Sequence, residues 1–373
     1  MTPFEKSLES RLQDLDQQFQ LRRLPFHTDA RYDLDFSSND YLNLSTHPDL
    51  IKASCDAAQL GVGSTGSRLI SGDSALFHEL EKEVASFKKM PAALVFNSGF
   101  QANIGVIPTL LGPKDVIFFD RLCHASLIDG IIHSKAKFYR FKHNDSTHLR
   151  TLCQLHRKQY RHACIITESI FSMDGDQAPL RELIEIKKEF DCMIMLDEAH
   201  ATGVFGPTGA GLAEAMGICD QIDISMGTFS KALGSAGAFI ACSEVIKDFL
   251  ITSCRSFIFS TSLPLPVIGA NLAAIKLVSQ LTELRENLLK NATLFREALI
   301  KKNYTVYGCS QIIPVILKET QKTLAYADLF RLNGITVPAI RYPTVPNKEA
   351  RLRFSVNSKH SSKDLALVLQ LLN

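Results

Sequence analysis

One lysine near the middle of the chain occupies a place where an ammonium group is unusual. Lys231 lies in the glycine- and serine-rich stretch 227–237, between the apolar runs 222–226 and 238–242. A lysine that is removed from water has a lowered pKa, and its neutral amine can attack a carbonyl carbon. Lys231 is therefore a candidate for Schiff-base chemistry. The alternative is that its stem packs along a strand end while its ammonium group reaches water. The stretch by itself favours neither interpretation.

Two other polar stretches follow apolar runs in the same way. One comes after the run 116–119 and contains His124, and the other comes after the run 193–196 and contains Asp197 and His200. Ligands bind at the carboxyl ends of strands in open α/β sheets, so both stretches fall where a site is expected. A carboxylate at the end of a buried strand needs a cationic partner, because burial of an unpaired charge is unfavourable.

The three stretches together indicate a cofactor. Asp197 alone is more typical of a helix N-cap, and His124 alone is more typical of a hydrogen-bonded core histidine. Their occurrence with Lys231 at successive strand ends favours the chemical interpretation. Pyridoxal phosphate (PLP) has a ring nitrogen that stays protonated beside an aspartate and an aldehyde that condenses with a lysine.

The elements that must position these stretches follow an α/β pattern. Continuous apolar runs are typical of strands buried on both faces of a parallel sheet, and helical segments such as 146–160 and 180–189 separate several of them. The predicted strands are 92–96, 116–119, 137–141, 163–167, 193–196, 222–226 and 238–242. The pattern predicts an α/β domain with a mainly parallel sheet.

The two ends of the chain differ from this central part. Apolar residues at helical spacing predict an amphipathic helix over 3–21, and a second long helix over about 266–301 is expected to connect to a smaller α+β domain. The expected organisation is an N-terminal helix and arm (1–45), a large cofactor-binding domain (46–265), and a connecting helix with a small C-terminal domain (266–373).

Composition restricts the class of ligand and the compartment. The 373 residues include 41 basic and 39 acidic side chains, and this formal charge of +2 excludes a strongly basic face for nucleic acid or anionic lipid. A small-molecule ligand is expected instead. The nine cysteines have no regular spacing, which favours reduced thiols in the cytoplasm over a disulfide framework or a zinc site. We expect neither a signal peptide nor a transmembrane helix, because no apolar run is long enough.

Five short motifs resemble, in order, those of the α-oxoamine synthases, which belong to the fold-type I PLP enzymes. The motifs are SNDYL (38–42), NSGF (97–100), HAS (124–126), DEAHATG (197–203) and TFSK (228–231). The resemblance extends from about residue 30 to the C-terminus. It implies a fold-type I PLP-dependent transferase, with a large domain built on a mainly parallel sheet and a smaller α+β C-terminal domain. It also implies a homodimer with its sites at the subunit interface.

The resemblance assigns cofactor contacts to individual residues. Lys231 would condense with the cofactor aldehyde, Asp197 would pair with the ring nitrogen, His124 would stack on the ring and His200 would hydrogen-bond its hydroxyl. The other contacts would come from the backbone of Gly99 and Phe100, the Thr228 hydroxyl, Ser172, and Thr261 reaching the phosphate bound by the partner subunit. Phosphate binding at the helix that begins near Gly99 also agrees with the helix dipole.

Members of this family join an amino acid to an acyl thioester with loss of carbon dioxide. By the resemblance, the Lys231 amine would remove the α-proton, and the resulting carbanion would attack the thioester carbonyl. The β-keto acid so formed would lose carbon dioxide. The implied substrate contacts are Arg22, Asn39, His124, Thr344 and Arg353, with Arg23 as the alternative to Arg22. An arginine such as Arg353 suits the carboxylate of an amino acid, because its planar fork donates two parallel hydrogen bonds.

Three segments bear on which substrates are used. Residues 141–145, 171–176 and 340–346 resemble the members that serve biotin synthesis, which use L-alanine and a pimeloyl thioester carried by coenzyme A or by acyl carrier protein. Tyr342 departs from that pattern and is shared with glycine-using 5-aminolevulinate synthases. The alternative is therefore a glycine-using relative, such as that enzyme or 2-amino-3-ketobutyrate CoA ligase. A cofactor-free binding protein on this fold would not need His124, Asp197 and Lys231 together.

Overall fold

The computed structural model describes residues 1–22, 24 and 34–372. The strands in this part of the chain are β1 (Leu34–Asp35), β2 (Ala92–Phe96), β3 (Val116–Asp120), β4 (Lys137–Phe141), β5 (Ala163–Glu168), β6 (Met193–Asp197), β7 (Ile224–Thr228), β8 (Ala238–Cys242), β9 (Ile312–Lys318), β10 (Ile335–Thr336), β11 (Ala339–Ile340) and β12 (Ala350–Ser355). The α-helices are α1 (Pro3–Gln17), α2 (Pro48–Ala58), α3 (Ala75–Lys88), α4 (Gly99–Leu110), α5 (Ala125–Ser134), α6 (Ser146–His156), α7 (Leu180–Glu189), α8 (Leu212–Ala215), α9 (Glu244–Ser253), α10 (Arg255–Ile258), α11 (Leu265–Val278), α12 (Thr282–Lys301), α13 (Thr320–Leu332) and α14 (Ser362–Leu371).

The chain divides into two compact units. The sheet unit comprises residues 39–172 and 176–288, and the terminal unit comprises residues 1–38, 173–175 and 289–373. The expected domain boundaries at residues 45 and 265 remain predictions.

A seven-stranded sheet in the order β2-β8-β7-β6-β5-β3-β4 forms the centre of the sheet unit. The five strands β7, β6, β5, β3 and β4 are parallel to one another, and β8 is antiparallel to both β7 and β2. The predicted mainly parallel sheet is thus confirmed. Every residue of β2, β3 and β5 is buried, whereas β4 at the edge is largely exposed, as expected for strands covered by helices on both faces. The packed apolar core therefore fixes the positions of the strand ends relative to one another.

The predicted single helix over 266–301 is wrong, because two helices occupy this segment. α11 ends at Val278 and α12 begins at Thr282. The Arg285 guanidinium hydrogen-bonds the Val278 carbonyl and also donates to the Pro207 carbonyl at 2.6 Å. The Val278 carbonyl would be hydrogen-bonded by the next turn if the helix continued. Arg285 supplies that hydrogen bond instead and so stabilises the end of α11. Among the described residues no single helix is long and apolar enough to span a bilayer, although α11 and α12 meet that test as a bent pair.

The terminal unit is smaller and mixes strands with helices. Strands β11, β12 and β9 form an antiparallel sheet, and β1 pairs in parallel with β10. The ring of Phe36 packs edge-on against that of Phe354, 5.5 Å away between centroids, and Phe295 and Phe330 also contact Phe354. The predicted α+β architecture is confirmed for this unit.

Helix α1 is shorter than the predicted 3–21 and ends at Gln17. Its start is stabilised by a capping box in which Thr2 accepts from the Glu5 backbone N–H at 3.2 Å and its own N–H donates to the Glu5 carboxylate. Phe19 adopts a φ of +56°, which an α-helix does not allow. The apolar residues of α1 remain exposed, Phe4 to 71% and Leu12 to 53%.

A buried ion pair anchors the segment that follows β6, and its removal should destabilise the protein. The Lys88 ammonium pairs with the Glu198 carboxylate and donates to the Ala210 carbonyl at 2.5 Å, and the Lys88 and Glu198 side chains are 3% and 0% exposed. We expect Lys88→Met to lower the free energy of unfolding by about 3–5 kcal/mol, because it leaves the carboxylate buried without its cation. Urea unfolding at one protein concentration measures the change.

The adjacent lysine provides the control for this prediction. Lys89 is 57% exposed at its side chain and pairs with Glu214 at 3.0 Å. Because the Lys89 side chain is exposed and the buried Glu214 carboxylate keeps hydrogen bonds from Thr208 and the Ala210 N–H, Lys89→Met should change the free energy of unfolding by about 1 kcal/mol or less. Equal effects of the two substitutions would contradict the prediction.

Candidate active site

Four parallel strands bring the candidate residues to one edge of the sheet. β3, β5, β6 and β7 run in the same direction, so their carboxyl ends lie side by side. Glu168 and Asp197 end β5 and β6, His124 follows β3, and Lys231 follows β7. A cleft of about 160 Å³ opens at this edge. It is lined by Gly99, Phe100, Asn103, His124, Ser126, Glu168, Asp197, Ala199, His200, Met226, Thr228, Ser230 and Lys231.

Lys231 lies in the connection between two antiparallel neighbours, β7 and β8. Backbone hydrogen bonds close this turn, from Phe229 N–H to the Gly237 carbonyl at 3.0 Å and from Gly234 N–H to the Lys231 carbonyl at 2.9 Å. The side chain is partly buried and lines the cleft, with Nζ 3.1 Å from Nε2 of His200. The amine is thus held at the cleft, which favours the chemical interpretation of Lys231 over a stem packed along a strand end.

The proton positions on His200 follow from its other partner. The fully buried Tyr41 hydroxyl lies 2.8 Å from Nδ1 of His200 and donates its own proton to Oδ1 of Asn39 at 3.0 Å. The Tyr41 oxygen is therefore placed to accept from Nδ1–H. This tautomer leaves Nε2 as an acceptor facing the Lys231 amine. Tyr41, which the sequence interpretation did not assign to the site, orients the histidine.

Asp197 is held in a buried hydrogen-bond network. Its carboxylate, in a residue 5% exposed, accepts from the Ala199 backbone N–H at 2.9 Å and from the Asn103 side-chain amide at 3.1 Å. Asn103 is fully buried on α4 and also donates to the Ser126 hydroxyl at 3.0 Å. These bonds keep the carboxylate pointed into the cleft, where a cation would complete its hydrogen bonding. Sequence reasoning missed Asn103, whose one signal was an amide side chain within a mainly apolar helix.

His124 is tied to the same network through Ser126. As the N-cap of α5, its Nδ1 accepts from the Ser126 backbone N–H at 3.2 Å and lies 2.8 Å from the Ser126 hydroxyl. Burial lowers the pKa of His124 below its ordinary value, against the attraction of the Asp197 carboxylate. The ring is therefore uncharged near neutral pH, a state that suits stacking on an aromatic ligand.

The other end of the cleft can bind an anion. α4 begins at Gly99 directly after β2, and its N-cap Ser98 accepts from the Gln101 N–H at 3.2 Å. The Thr228 hydroxyl is buried and has no hydrogen-bond partner among the residues that the structure describes. A Cβ on Gly99 would come within 3.0 Å of Cγ2 of Thr228, so glycine keeps this gap open. Backbone N–H groups at a helix start and an unpartnered hydroxyl make a phosphate cradle.

The groups that line the cleft fit PLP. A buried carboxylate stands ready for a cationic ring nitrogen, a lysine amine for an aldehyde, a neutral imidazole for the ring face and a helix start for a phosphate. The cleft therefore brings together seven of the residues predicted from the sequence, namely Gly99, Phe100, His124, Asp197, His200, Thr228 and Lys231.

The remaining predicted residues lie outside the cleft lining. Asn39 accepts from the Tyr41 hydroxyl, which in turn lies against His200, and the Ser172 backbone N–H hydrogen-bonds Glu168. Thr261 is exposed, and its carbonyl accepts from the Asn97 amide at 2.6 Å.

Three more predicted residues belong to the terminal unit. The Arg22 guanidinium donates to the Thr344 hydroxyl at 2.8 Å, and Arg353 is buried and donates to the Ser355 hydroxyl at 2.7 Å. Arg23, the alternative to Arg22, lies outside the described residues.

Glu168 is a further cleft residue that the sequence interpretation missed. It is 3% exposed, and its carboxyl accepts from the His124 backbone N–H at 2.5 Å. Burial, and then the neighbouring Asp197 carboxylate, raise the pKa of Glu168 well above its usual range. The signal in the sequence was a carboxylate at the end of an apolar run, the same signal that identified Asp197.

Comparison with known proteins agrees with this geometry. The family model for class I and II aminotransferases matches residues 32–372. An 8-amino-7-oxononanoate synthase from Geobacter metallireducens is 45% identical over 348 residues, which are 92% of this chain and 89% of that protein.

Solved structures show the same likeness. The 8-amino-7-oxononanoate synthase of Francisella tularensis superposes with a TM-score of 0.80 at 31% identity, covering 92% of this chain and 97% of that one. A structure described as SPT with PLP internal aldimine has a TM-score of 0.91 at 29% identity, covering 100% and 97% of the two chains. The chain therefore belongs to the 8-amino-7-oxononanoate synthases, within the class I and II aminotransferase family and the fold-type I PLP-dependent transferases.

Proposed function

We propose that this protein is a PLP-dependent acyltransferase that condenses L-alanine with a pimeloyl thioester. The products are 8-amino-7-oxononanoate, carbon dioxide and the free thiol carrier, and the reaction serves biotin synthesis. The observation that carries the proposal is the cleft in which Lys231, His200, Asp197 and His124 meet, in a chain 45% identical to an 8-amino-7-oxononanoate synthase. Glycine-using relatives are the alternative, since Tyr342 is shared with them.

The cofactor and the protein side chains have different roles in the proposed reaction. PLP, when bound, supplies an electron sink that stabilises negative charge at the α-carbon of the amino acid. The Asp197 carboxylate, which Asn103 and Ala199 keep in place, would hold the proton on the ring nitrogen. Thr228 and the first N–H groups of α4 would bind the phosphate. His124 would contact the ring, and His200 would hydrogen-bond the ring hydroxyl.

Lys231 has the proton-transfer role in this proposal. Its amine removes the α-proton of the bound alanine and later returns a proton to the product. Nε2 of His200, 3.1 Å from Nζ, accepts a hydrogen bond from the amine and so directs the amine within the cleft. A positioned base of this kind contributes about 10²–10⁴-fold to a rate.

The resemblance assigns substrate contacts to each unit separately. We propose that Arg353 of the terminal unit binds the carboxylate of alanine, and that Asn39 and His124 are the substrate contacts of the sheet unit. Arg22 and Thr344 bind the acyl substrate, and one feature supports an anionic group there. Burial, and then the neighbouring Arg22 guanidinium, lower the pKa of Arg341, so two cations face each other at this point. The free carboxylate of a pimeloyl group would relieve that repulsion.

The homodimer and the cytoplasmic location are parts of the same proposal. Large apolar side chains are exposed on this chain, among them Phe4 of α1, Ile70 at 84% and Phe259 at 73%, and an interface with a second copy would remove such apolar surface from water. Thr261, two residues after Phe259, is exposed as a residue that acts across the interface must be. Light scattering on the eluted protein would measure the dimer, and a monomeric mass would contradict it.

The decisive experiment measures thiol release with different substrate pairs. The purified protein, loaded with PLP, would receive L-alanine, glycine or L-serine, each with pimeloyl, acetyl or succinyl thioesters on coenzyme A. We expect L-alanine with the pimeloyl thioester to give a kcat/KM at least about tenfold above every other pair, since a missing or added small group changes binding by that order. A preference for glycine would overturn the assignment. The same assay with pimeloyl acyl carrier protein decides the carrier.

A further inference from the structure

Glu168 is a buried carboxyl in the cleft to which the proposed function gives no task. It ends β5, next to Asp197 at the end of β6, and the two residues are Cα partners in the parallel register. Two carboxylates this close in a buried place repel each other, so one of them keeps its proton. The Lys231 charge acts in the opposite direction on Glu168, yet the Glu168 pKa remains raised.

Both carboxyl groups accept two hydrogen bonds, Asp197 from the Asn103 amide and the Ala199 N–H, and Glu168 from the backbone N–H groups of His124 and Ser172. The bonds to Glu168 favour its ionised form, but burial and the neighbouring Asp197 charge outweigh them. Glu168 is 3% exposed and faces the Asp197 charge. The proton therefore resides on Glu168, and Asp197 carries the negative charge that a cationic ring nitrogen needs.

The hydrogen bonds of Glu168 reach two residues that the resemblance assigns to the cofactor. Its Oε1 accepts from the His124 N–H at 2.5 Å, and the Ser172 N–H also hydrogen-bonds this carboxyl. His124 begins α5, and Ser172 lies in the loop after β5. One side chain thus connects two separate loops at the edge of the cleft.

We propose that Glu168 is a positioning residue, which as an uncharged carboxylic acid holds the His124 and Ser172 backbones in place against the bound cofactor. This inference rests on the proposed use of PLP. In this role the carbonyl oxygen of Glu168 holds the two backbones by hydrogen bonding, and a negative charge on Glu168 is not required.

Glutamine is the substitution that separates these two possibilities. Glu168→Gln keeps the length of the side chain and a carbonyl oxygen for the His124 N–H, and it carries no charge. Glu168→Ala removes the acceptor and leaves the His124 N–H without a partner. Glu168→Asp keeps the acid but withdraws it by one methylene from that N–H.

The test measures cofactor binding without turnover. Apoprotein of each variant would be titrated with PLP, and the absorbance band of the lysine-bound cofactor would give the dissociation constant. We expect Glu168→Gln to remain within about threefold of the unaltered protein and Glu168→Ala to bind about tenfold or more weakly, as loss of a buried hydrogen bond predicts. Glu182→Gln, an exposed carboxylate on α7, is the control for loss of a charge and should change nothing.

Each outcome supports or overturns a defined statement. Wild-type affinity in Glu168→Ala overturns the positioning role, and a Glu168→Gln variant as weak as Glu168→Ala overturns the uncharged state. If Glu168→Ala fails to fold in a thermal melt, Glu168→Asp replaces it and should bind PLP weakly where Glu168→Gln binds it well. Failure of the unaltered protein to bind PLP would defeat the proposed function itself, which is a distinguishable result.

Discussion

Replacing Lys231 by arginine should abolish turnover while the protein stays folded. Arginine keeps the positive charge and a similar length, but its guanidinium stays protonated at any pH that the fold tolerates. It can neither condense with an aldehyde nor remove a proton from carbon. We expect kcat/KM to fall by about ten-thousandfold or more, since both nucleophile and base are lost. The thiol-release assay with L-alanine and pimeloyl-CoA measures the loss.

Two further measurements separate chemistry from folding at Lys231. The absorbance band of lysine-bound PLP should be absent in both Lys231→Arg and Lys231→Ala, and the thermal melts should lie close to that of the unaltered protein. Lys89→Arg, at an exposed site that keeps its pairing with Glu214, is the matched control and should retain both band and turnover. Turnover in Lys231→Arg would contradict the assignment of this lysine.

Replacing Asp197 by asparagine should produce the second large loss. The substitution keeps the shape of the side chain and an acceptor for the Ala199 N–H, but it removes the negative charge that faces the ring nitrogen. Removal of one preorganised electrostatic partner costs about 10²–10³-fold in kcat, and we expect a loss of about a thousandfold. Asn103 can adapt, because its Oδ1 has no partner among the described residues and rotation of the amide would present this oxygen to the new amide group.

The measurement for Asp197→Asn combines turnover with cofactor affinity. We expect PLP still to bind through Lys231 and the phosphate cradle, with kcat reduced far more than binding. Asp191→Asn, in the exposed turn before β6, serves as the control for loss of an aspartate and should retain wild-type kcat. An Asp197→Asn variant with wild-type kcat would show that this carboxylate does not act on the cofactor.

Much of the fold was predictable because its strands are continuous apolar runs. β2, β4 and β8 begin and end at the predicted residues, and the stretches after β3, β6 and β7 fall at the predicted edge. Parallel neighbours place their carboxyl ends together, so local pattern alone brings His124, Asp197 and Lys231 near one another. The break between α11 and α12 was not predictable in this way. The Arg285 side chain that hydrogen-bonds the Val278 carbonyl at the end of α11 also donates to the Pro207 carbonyl, which is distant in sequence, and local spacing does not reveal such a contact.

The amino-acid sequence by itself determined which groups are available for chemistry and on which strand ends they stand. A lone lysine in a glycine-rich turn, an aspartate and two histidines suffice to indicate PLP, because residue type and strand position are local properties. Only the tertiary structure decided the protonation states and orientations of these groups. Whether Glu168 keeps a proton and which nitrogen of His200 faces Lys231 depend on burial and on partners from distant elements, such as Asp197 and Tyr41. Protonation responds to the surrounding charges and dipoles in space, and one-dimensional spacing does not contain those distances.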